Sequence, residues 1–234
     1  MDPIALLAAE PGRAALFLDV DGTLAPIVPR PEDAFVPPET RVELRRLVSS
    51  YELVACVSGR PGDDARRVVG VDGIVYVGEH GLELEPDAET WAERLRAFTG
   101  SVSWPHDGKR LSASFHYRTH PDQAAAEAEL REVELVAREH GFRTRWGRKL
   151  LEVLPPLEAS KATAARSLLA EHGLRRALYA GDDTTDLDGF RALDGLELAV
   201  RVAVRSAEGP AALAEAADVV VESPAELLAL LRRL

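Results

Sequence analysis

Carboxylate side chains crowd at two places along the chain, each directly after a short apolar segment. Residues 19–24 read DVDGTL and follow AALFL, and residues 181–186 read GDDTTD and follow ALYA. Carboxylates this close repel one another unless a cation neutralises them, and hard oxygen ligands of this kind suit Mg²⁺. Turn chemistry explains Asp21-Gly22, and helix capping explains Asp183 or Thr184. Neither explains Asp19 after five apolar residues, so the two segments predict a divalent-metal site.

Groups able to bind an anion occur at two further places. Ser58-Gly59-Arg60 follows another apolar segment and offers a hydroxyl and backbone N–H groups at the start of a helix. Lys161 begins a later helical segment and offers a compact point charge. Either feature alone is ordinary, because Ser-Gly turns are common and most lysines lie on the surface. With the carboxylates, however, they form an ordered set of four motifs along the chain.

The segments that carry these motifs predict an α/β fold. Short apolar, β-branched runs that end in polar or glycine-rich turns are typical of buried parallel strands. These runs are residues 14–20, 53–57, 74–77, 177–180, 196–202 and 219–221. Helical patterns such as residues 38–49 and 159–172 lie between them, which predicts a doubly wound, Rossmann-like parallel sheet. Ligands bind such sheets at the carboxyl ends of the strands, where the four motifs fall.

A segment of different character interrupts this pattern. Residues 84–156 contain a helix around residues 90–99, an alternating stretch at 110–118, an alanine- and glutamate-rich helix at 122–140 and a second alternating stretch at 142–153. Alternation with a period of two predicts antiparallel strands with one wetted face. The domain prediction is therefore a core of residues 1–83 and 157–234 with an inserted α+β cap domain of residues 84–156.

Composition narrows the classes of partner. The chain has 234 residues, a net charge of -11 and one cysteine, Cys56. A surface that binds nucleic acid or an anionic membrane needs clustered cations, so both are expected to be absent as partners. No apolar run reaches the roughly 18 residues that span a bilayer. The first residues also lack the pattern of a signal peptide, and the expected location is the cytoplasm.

The ordered set of motifs resembles the haloacid dehalogenase superfamily of phosphotransferases, over essentially the whole chain. That resemblance implies a Mg²⁺-dependent reaction in which Asp19 is the nucleophile and forms an aspartyl-phosphate. It implies that Asp21 protonates the leaving oxygen and then activates water, and that Ser58 and Lys161 hold the phosphoryl group. The implied metal residues are Asp19, Asp21 through its backbone carbonyl, Asp182, and the supporting Asp183 and Asp186.

Within the superfamily, the position of the insertion resembles the α+β cap of the subclass that acts on sugar phosphates. The nearest resemblance is to the trehalose-6-phosphate phosphatase family. It rests on GEHG at residues 78–81, on residues 107–118, and on Arg148 with Glu152, which we place in phase on one strand face. The substrate-binding residues implied in this way are Gly59, Arg60, His80, Asp107, Lys109, His116, Arg118, Arg148 and Glu152.

The function implied by the resemblance is hydrolysis of trehalose 6-phosphate to trehalose and phosphate. One alternative is another capped sugar-phosphate phosphatase, and a second is a phosphomutase, which returns the phosphoryl group to a second hydroxyl. A non-catalytic sugar-phosphate sensor on the same fold predicts loss of the nucleophile, the acid/base or the metal aspartate. Asp19, Asp21 and Asp182 are all present, which favours an enzyme.

Overall fold

The structure is a computed structural model that describes residues 2–147, 149–205 and 209–234. Across these residues the strands are β1 (Ala15–Leu18), β2 (Leu53–Val57), β3 (Val75–Val77), β4 (Asp107–Gly108), β5 (Ala113–His116), β6 (Arg143–Gly147), β7 (Leu150–Leu154), β8 (Arg176–Gly181), β9 (Leu198–Val204) and β10 (Val219–Val221). The helices are α1 (Pro3–Ala8), α2 (Pro38–Ser50), α3 (Gly62–Val69), α4 (Ala88–Ser101), α5 (Gln123–Glu139), α6 (Lys161–Glu171), α7 (Asp186–Ala192), α8 (Ala211–Ala216) and α9 (Pro224–Leu231).

The chain divides into two compact units. The core unit comprises Met1–Gly81 and Ala159–Leu234, and the insert unit comprises Leu82–Glu158. In the part of the chain that the structure describes, no helix has both the length and the apolar character needed to cross a membrane.

The core unit is built on a parallel sheet with strand order β10-β9-β8-β1-β2-β3. Strands β1 and β2 are buried on both faces. Leu16 and Leu18 of β1 join an apolar cluster with α1, α2, α3 and α9, whereas Phe17 joins one with α6, α7 and α8. This arrangement confirms the predicted doubly wound α/β class. It also sets the carboxyl ends of β8, β1 and β2 side by side, and three of the four motifs follow those ends.

The insert unit is an antiparallel sheet of order β4-β5-β7-β6. Its core includes Leu95 and Phe98 of α4, Leu130 of α5, and Phe115 and Leu151 of the sheet. Residues of β5 alternate as the sequence predicts, because Ala113 and Phe115 are buried while His116 is exposed. The separate antiparallel sheet confirms the α+β character expected for the inserted segment.

The second alternating stretch differs from the expectation. Residues 142–153 are not one strand but a hairpin, in which Gly147 of β6 faces Leu150 of β7. The turn includes Lys149, which has a left-handed φ of 66°. A tight turn reverses the chain, so the phase that groups position 148 with Leu150 and Glu152 on one strand is wrong. Arg148 itself lies outside the described residues.

Candidate active site

Three buried carboxylates meet at the carboxyl edge of the core sheet. One carboxylate oxygen from each of Asp19, Asp182 and Asp186 lies within 4.8 Å of the others. Strand pairing brings them together, since β1 and β8 are neighbours and the backbone N–H of Asp19 donates to the carbonyl of Ala180 at 2.9 Å. Residues more than 160 positions apart in the sequence thus form the acidic cluster that the two motifs predicted.

Lys161 is the buried cation of this cluster. Its Nζ lies 3.1 Å from Oδ2 of Asp19 and donates a hydrogen bond to Oδ1 of Asp186 at 2.7 Å. The start of α6 fixes its position, because Ser160 and Thr163 form a reciprocal capping box around the first turn. Three carboxylates and one ammonium group leave the cluster with two uncompensated negative charges, which one divalent cation would neutralise.

The acid–base properties of the cluster show the same excess of negative charge. Burial raises the pKa of Asp19 to about 8, with Lys161 opposing the rise and Asp186 adding to it. Burial and the neighbouring Asp186 also raise the pKa of Asp182 to about 7. Burial alone would lower the pKa of Lys161, but the two aspartates that it contacts outweigh this effect and raise it. The donor set is therefore oxygen-rich, buried and short of positive charge, as a hard dication requires.

The loop after β1 is shaped around Asp182. Gly22 adopts a φ of 78°, and a Cβ atom at this position would lie 2.0 Å from Oδ2 of Asp182. Thr23, which is fully buried, donates a hydrogen bond from Oγ1 to Oδ1 of Asp182 at 3.1 Å. The glycine of DVDGT is therefore needed so that Asp182 can approach the loop.

Asp186 is held by protein donors on both carboxylate oxygens. Oδ1 accepts hydrogen bonds from Lys161 Nζ at 2.7 Å and from the Tyr179 hydroxyl at 3.1 Å. Oδ2 accepts from the backbone N–H groups of Asp182 and Asp183, both at 3.0 Å. A carboxylate offers about four lone-pair sites, and all four are occupied here. This agrees with a supporting role, in which Asp186 orients Lys161 and the loop after β8.

Asp183 and Asp21 lie differently from the three clustered aspartates. Asp183 is exposed, and its Oδ1 accepts a hydrogen bond from the backbone N–H of Thr184 at 2.6 Å. Asp21 points its carboxylate at Arg60, whose Nε donates to Oδ2 at 2.5 Å and whose Nη2 donates to Oδ1 at 2.7 Å. The supporting role of Asp183 at the metal stays a prediction. The same holds for the role of Asp21, whose backbone carbonyl is the predicted ligand.

The predicted anion site at the end of β2 has a well-fixed backbone. Ser58 is buried, and its Oγ accepts a hydrogen bond from the backbone N–H of Arg60 at 3.1 Å. The carbonyl groups of Ser58 and Arg60 accept hydrogen bonds from the N–H groups of His80 and Glu79, both at 2.9 Å. Gly59 lies against the His80 ring, which a Cβ atom would approach to 2.7 Å. GEHG and SGR, two separate sequence motifs, thus form one loop pair.

The backbone of this loop pair is strained. Glu79 and His80 have left-handed φ values of 48° and 57°, which non-glycine residues adopt at a cost. Glu79 is buried and His80 exposed. Consecutive strained residues persist only where surrounding structure holds them, and they are enriched at functional sites.

The insert unit brings several predicted sugar contacts to one face of its sheet. Asp107 is opposite Ser114, and its Oδ2 lies 3.3 Å from Nε2 of His116. Ser114 is opposite Glu152, whose carboxylate accepts hydrogen bonds from Arg145 of β6. Lys109 and Arg118 are exposed. We call the set Asp107, Ser114, His116, Arg145 and Glu152 the polar sheet face.

Sequence reasoning missed three residues that the structure brings to these sites. Thr23 stands inside the DVDGT motif, yet its contact with Asp182 depends on the pairing of β1 with β8. Tyr179 reads as an apolar strand residue, and only the position of Asp186 gives its hydroxyl a partner. Arg145 could have been found from its alternation with Thr144 and Trp146, had the hairpin been recognised.

Comparison with known proteins assigns the chain to a family. The family model described as trehalose-phosphatase matches residues 17–107 and 105–223, which together make up most of the chain. The chain belongs to the trehalose-phosphatase family. Both units lie largely within the match, so the family pattern covers the acidic cluster and the polar sheet face alike.

Curated relatives of this trehalose-phosphatase family member are longer than the chain. A trehalose-phosphate phosphatase of Mycobacterium marinum is 32% identical over 240 residues, which cover 87% of this chain and 60% of that protein. A probable trehalose-phosphate phosphatase of rice is 29% identical, over 77% of this chain and 56% of that protein. A protein of Mycobacterium tuberculosis described as an uncharacterized glycosyl hydrolase is 35% identical, but the match is only 16% of its length.

Solved structures share the fold. Aspergillus fumigatus trehalose-6-phosphate phosphatase aligns with a TM-score of 0.68 at 24% identity, over 99% of this chain and 96% of that one. A haloacid dehalogenase-like hydrolase from Bacteroides thetaiotaomicron aligns with a TM-score of 0.59 at 16% identity, over 94% and 99% of the two chains. The fold is therefore that of the capped haloacid dehalogenase-like hydrolases.

Proposed function

We propose that the chain is a Mg²⁺-dependent phosphatase that hydrolyses trehalose 6-phosphate to trehalose and phosphate. The observation that carries this proposal is the buried cluster of Asp19, Asp182, Asp186 and Lys161, with its excess of negative charge, in a member of the trehalose-phosphatase family. A dianionic phosphate cannot approach three carboxylates unless their charge is neutralised. A metal-assisted phosphoryl transfer accounts for both the cluster and its lysine.

The metal would be held by the carboxylates of Asp19 and Asp182 and by the backbone carbonyl of Asp21. When bound, Mg²⁺ neutralises the carboxylates and the phosphoryl oxygens, so that the nucleophile and the substrate can meet. Asp186 keeps its four hydrogen bonds and orients the cluster. Asp183, at the exposed end of the loop after β8, would support the site through Asp186 and not directly.

Asp19 is the proposed nucleophile. One of its oxygens attacks phosphorus while the bond from phosphorus to the sugar oxygen breaks, which leaves an aspartyl-phosphate and an alkoxide-like leaving group. Asp21 gives that oxygen its proton and then accepts a proton from the water that attacks phosphorus, and this attack breaks the bond between phosphorus and the Asp19 oxygen. Lys161 restrains Asp19 and pairs with a phosphoryl oxygen, and Ser58 holds a second one. Phosphate then leaves, and both aspartates return to their starting state.

The polar sheet face of the insert unit is the proposed binding site for the trehalose hydroxyls. Its carboxylates and its imidazole offer hydrogen-bond acceptors and donors to a sugar. Side chains on opposite residues of neighbouring antiparallel strands lie about 5 Å apart, which sets the distance between these groups. Lys109 and Arg118, exposed residues of the same unit, are further proposed substrate contacts. In the core unit, Gly59 and His80 are also proposed substrate contacts. Specificity for one sugar would come from these polar groups, because a sugar that leaves some of them without a hydrogen-bond partner would bind less well.

Phosphate release from a panel of phosphate esters tests the proposal. The purified chain is assayed with Mg²⁺ on trehalose 6-phosphate, sucrose 6-phosphate, glucose 6-phosphate and mannose 6-phosphate, and EDTA-treated protein is the control. We expect trehalose 6-phosphate to have the highest kcat/KM and EDTA to abolish release. A preference for another ester would overturn the sugar assignment, and transfer to a second hydroxyl without release would identify a mutase. No release from any ester would overturn the enzyme assignment.

A further inference from the structure

Arg60 differs from the other residues of the anion motif because its side chain is fully engaged within the core unit. Its Nε and Nη2 donate to the two oxygens of Asp21, at 2.5 and 2.7 Å. Its Nη1 donates to Asp64 at 2.6 Å and to the carbonyl of Pro31 at 3.0 Å. All three guanidinium nitrogens therefore have protein acceptors, and only 11% of the side chain is exposed.

The backbone of Arg60 is fixed as firmly as its side chain. Its N–H donates to the Oγ of Ser58, and its carbonyl accepts from the N–H of Glu79. Glu79 holds a left-handed backbone conformation to make this contact. A two-point ion pair on a backbone held this tightly gives the Asp21 carboxylate one preferred orientation. The carboxylate is about two-fifths exposed, and among the described residues Arg60 is the donor of its side-chain hydrogen bonds.

We propose that Arg60 is a positioning residue, which acts on the reaction by orienting the carboxylate of Asp21 and not by binding the substrate phosphate. This inference rests on the proposed function, because it needs Asp21 to be the acid and base of a phosphoryl transfer. It replaces the sequence-based expectation that Arg60 contacts substrate. A misplaced general acid slows the reaction, and the loss is larger for leaving groups that need protonation more.

The test compares Arg60→Gln and Arg60→Lys with a matched control, Arg67→Gln. Arg67 lies on α3, which begins two residues after Arg60, and donates to the same Asp64 at 2.8 Å, but it is more than half exposed and has no contact with Asp21 among those described. Asp64→Asn, which loosens the guanidinium from its far side, serves as a second and milder variant. Each protein is first checked for an unchanged unfolding transition.

With trehalose 6-phosphate, we expect Arg60→Gln to lower kcat roughly 10- to 100-fold and to leave KM within about threefold. Arg60→Lys, with one point of attachment in place of two, and Asp64→Asn should give smaller losses in kcat. Arg67→Gln should stay within about twofold of the wild type. A rise in KM with kcat unchanged would show that Arg60 binds substrate, and a faster Arg60→Gln enzyme would show that the ion pair restrains Asp21; either result would overturn the inference.

The leaving group separates positioning from a general structural effect. p-Nitrophenolate leaves without protonation, so Arg60→Gln should release a first equivalent of it from p-nitrophenyl phosphate at a near wild-type rate, before a slow steady state. In an Asp21→Asn background, Arg60→Gln should cost little more than Asp21→Asn alone, because the two residues act as one unit. Full additivity of the two losses would contradict the inference.

The two proposals fail in different ways. A wild type that hydrolyses p-nitrophenyl phosphate but not trehalose 6-phosphate would remove the sugar assignment and leave the Arg60 experiment intact on the aryl ester. A wild type inactive on every ester would overturn the proposed function and this inference with it. Wild-type activity with additive Arg60 and Asp21 losses would overturn this inference alone.

Discussion

Both units bury carboxylates, but among the described contacts Asp19 and Asp182 of the core unit receive fewer side-chain donors than Glu134 of the insert unit. In the core unit, Nζ of Lys161 lies 3.1 Å from Asp19, and the Thr23 hydroxyl donates a hydrogen bond to Asp182. In the insert unit, Glu134 of α5 accepts hydrogen bonds on both carboxylate oxygens. Among the described residues, the three clustered core carboxylates are accompanied by one ammonium group, that of Lys161, whereas the single Glu134 carboxylate pairs with the Arg138 guanidinium.

The donors around Glu134 tie α5 to β6. Oε2 accepts from the indole N–H of Trp146 at 2.8 Å, and Oε1 accepts from Arg138 at 2.6 Å and from the Thr144 hydroxyl at 3.0 Å. Burial would raise the pKa of Glu134, but these donors outweigh burial and lower it. The pKa of Asp19 moves in the opposite direction, to about 8.

The difference separates a structural carboxylate from one that is prepared for chemistry. A buried carboxylate that receives enough donors stabilises the fold and has no remaining lone pair for a ligand. Buried carboxylates with too few donors destabilise the fold, and they persist where a cation or a substrate supplies the missing partner. A raised pKa therefore indicates a carboxylate that awaits a ligand, and a lowered pKa indicates one that is part of the structure. Four experiments test this contrast.

The largest expected effect is that of Asp19→Asn. We expect a loss in kcat of roughly 10⁴-fold or more, since the amide cannot form the acyl-phosphate. The metal-free variant should unfold at the wild-type temperature or higher, because one uncompensated charge is removed. Phosphate release and thermal unfolding in EDTA measure the two effects. Retained activity would show that another residue is the nucleophile, and a lower unfolding temperature would contradict the charge argument.

Lys161→Met should produce the largest loss of stability. Removing the ammonium group leaves Asp19 and Asp186 without a cationic partner among the described residues, which costs about 3 kcal/mol of unfolding free energy near pH 8. The cost should be smaller near pH 5, where the raised pKa values let Asp19 and Asp182 take up protons. Urea unfolding at both pH values measures this. Lys149→Met, which removes an exposed lysine paired with Gln123, is the control and should cost much less at either pH.

Mg²⁺ should stabilise the protein and remove a pH dependence. In EDTA, the folded state binds more protons than the unfolded chain between about pH 4 and pH 8, because the pKa values of Asp182 and Asp19 are about 7 and about 8. Stability therefore falls as pH rises through this range. Mg²⁺ at about 100 times its Kd should add about 2.7 kcal/mol. If Mg²⁺ stabilised the Asp182→Asn variant as much as the wild type, the ion would not bind at Asp182.

The smallest expected effect comes from Glu134→Gln. Loss of the charged acceptor should cost about 1–2 kcal/mol of unfolding free energy at neutral pH, with no change in the Mg²⁺ response. Folding lowers the pKa of Glu134. The ionised side chain therefore contributes fully to the unfolding free energy above the pKa of the unfolded chain, near 4.5, and this contribution is lost as pH falls through the lower pKa of the folded state. Glu127→Gln, which breaks an exposed pair with Arg131 on the same helix, should cost about 0.5 kcal/mol or less. Equal costs for the two variants would argue against a special role for Glu134.

Much of the core unit could be predicted from the sequence, because each strand carries its own signal. The apolar run at residues 53–57 is β2 to the residue, and the segment predicted as helix 159–172 contains α6. Parallel strands buried on both faces must be apolar throughout, and glycine-rich turns mark their ends. The carboxylates at those ends meet because neighbouring strands share an edge.

The parts that could not be predicted depend on contacts between distant segments. The hairpin at Lys149 has no Asn-Gly or Asp-Gly signal, so its two strands read as one alternating stretch. Glu134 stands in a helix rich in exposed glutamates, and only the approach of β6 gives it donors. Arg60 is the last residue of the predicted anion motif Ser58-Gly59-Arg60, yet its guanidinium lies against Asp21.

The position of β1 between β2 and β8 has a consequence for folding. Leu16 pairs with Leu178, so joining these strands closes a loop of about 160 residues that includes the whole insert unit. Closing a loop of this length costs conformational entropy before the contacts between the strands can offset that cost, so such pairings form slowly. β1 and β2, by contrast, are joined by a much shorter segment and can pair earlier. A chain that has formed only its local contacts holds Asp19 but neither Lys161 nor Asp182 beside it. The acidic cluster, with its repulsion, is thus assembled at a late step, once the strand pairing that confines it is able to form.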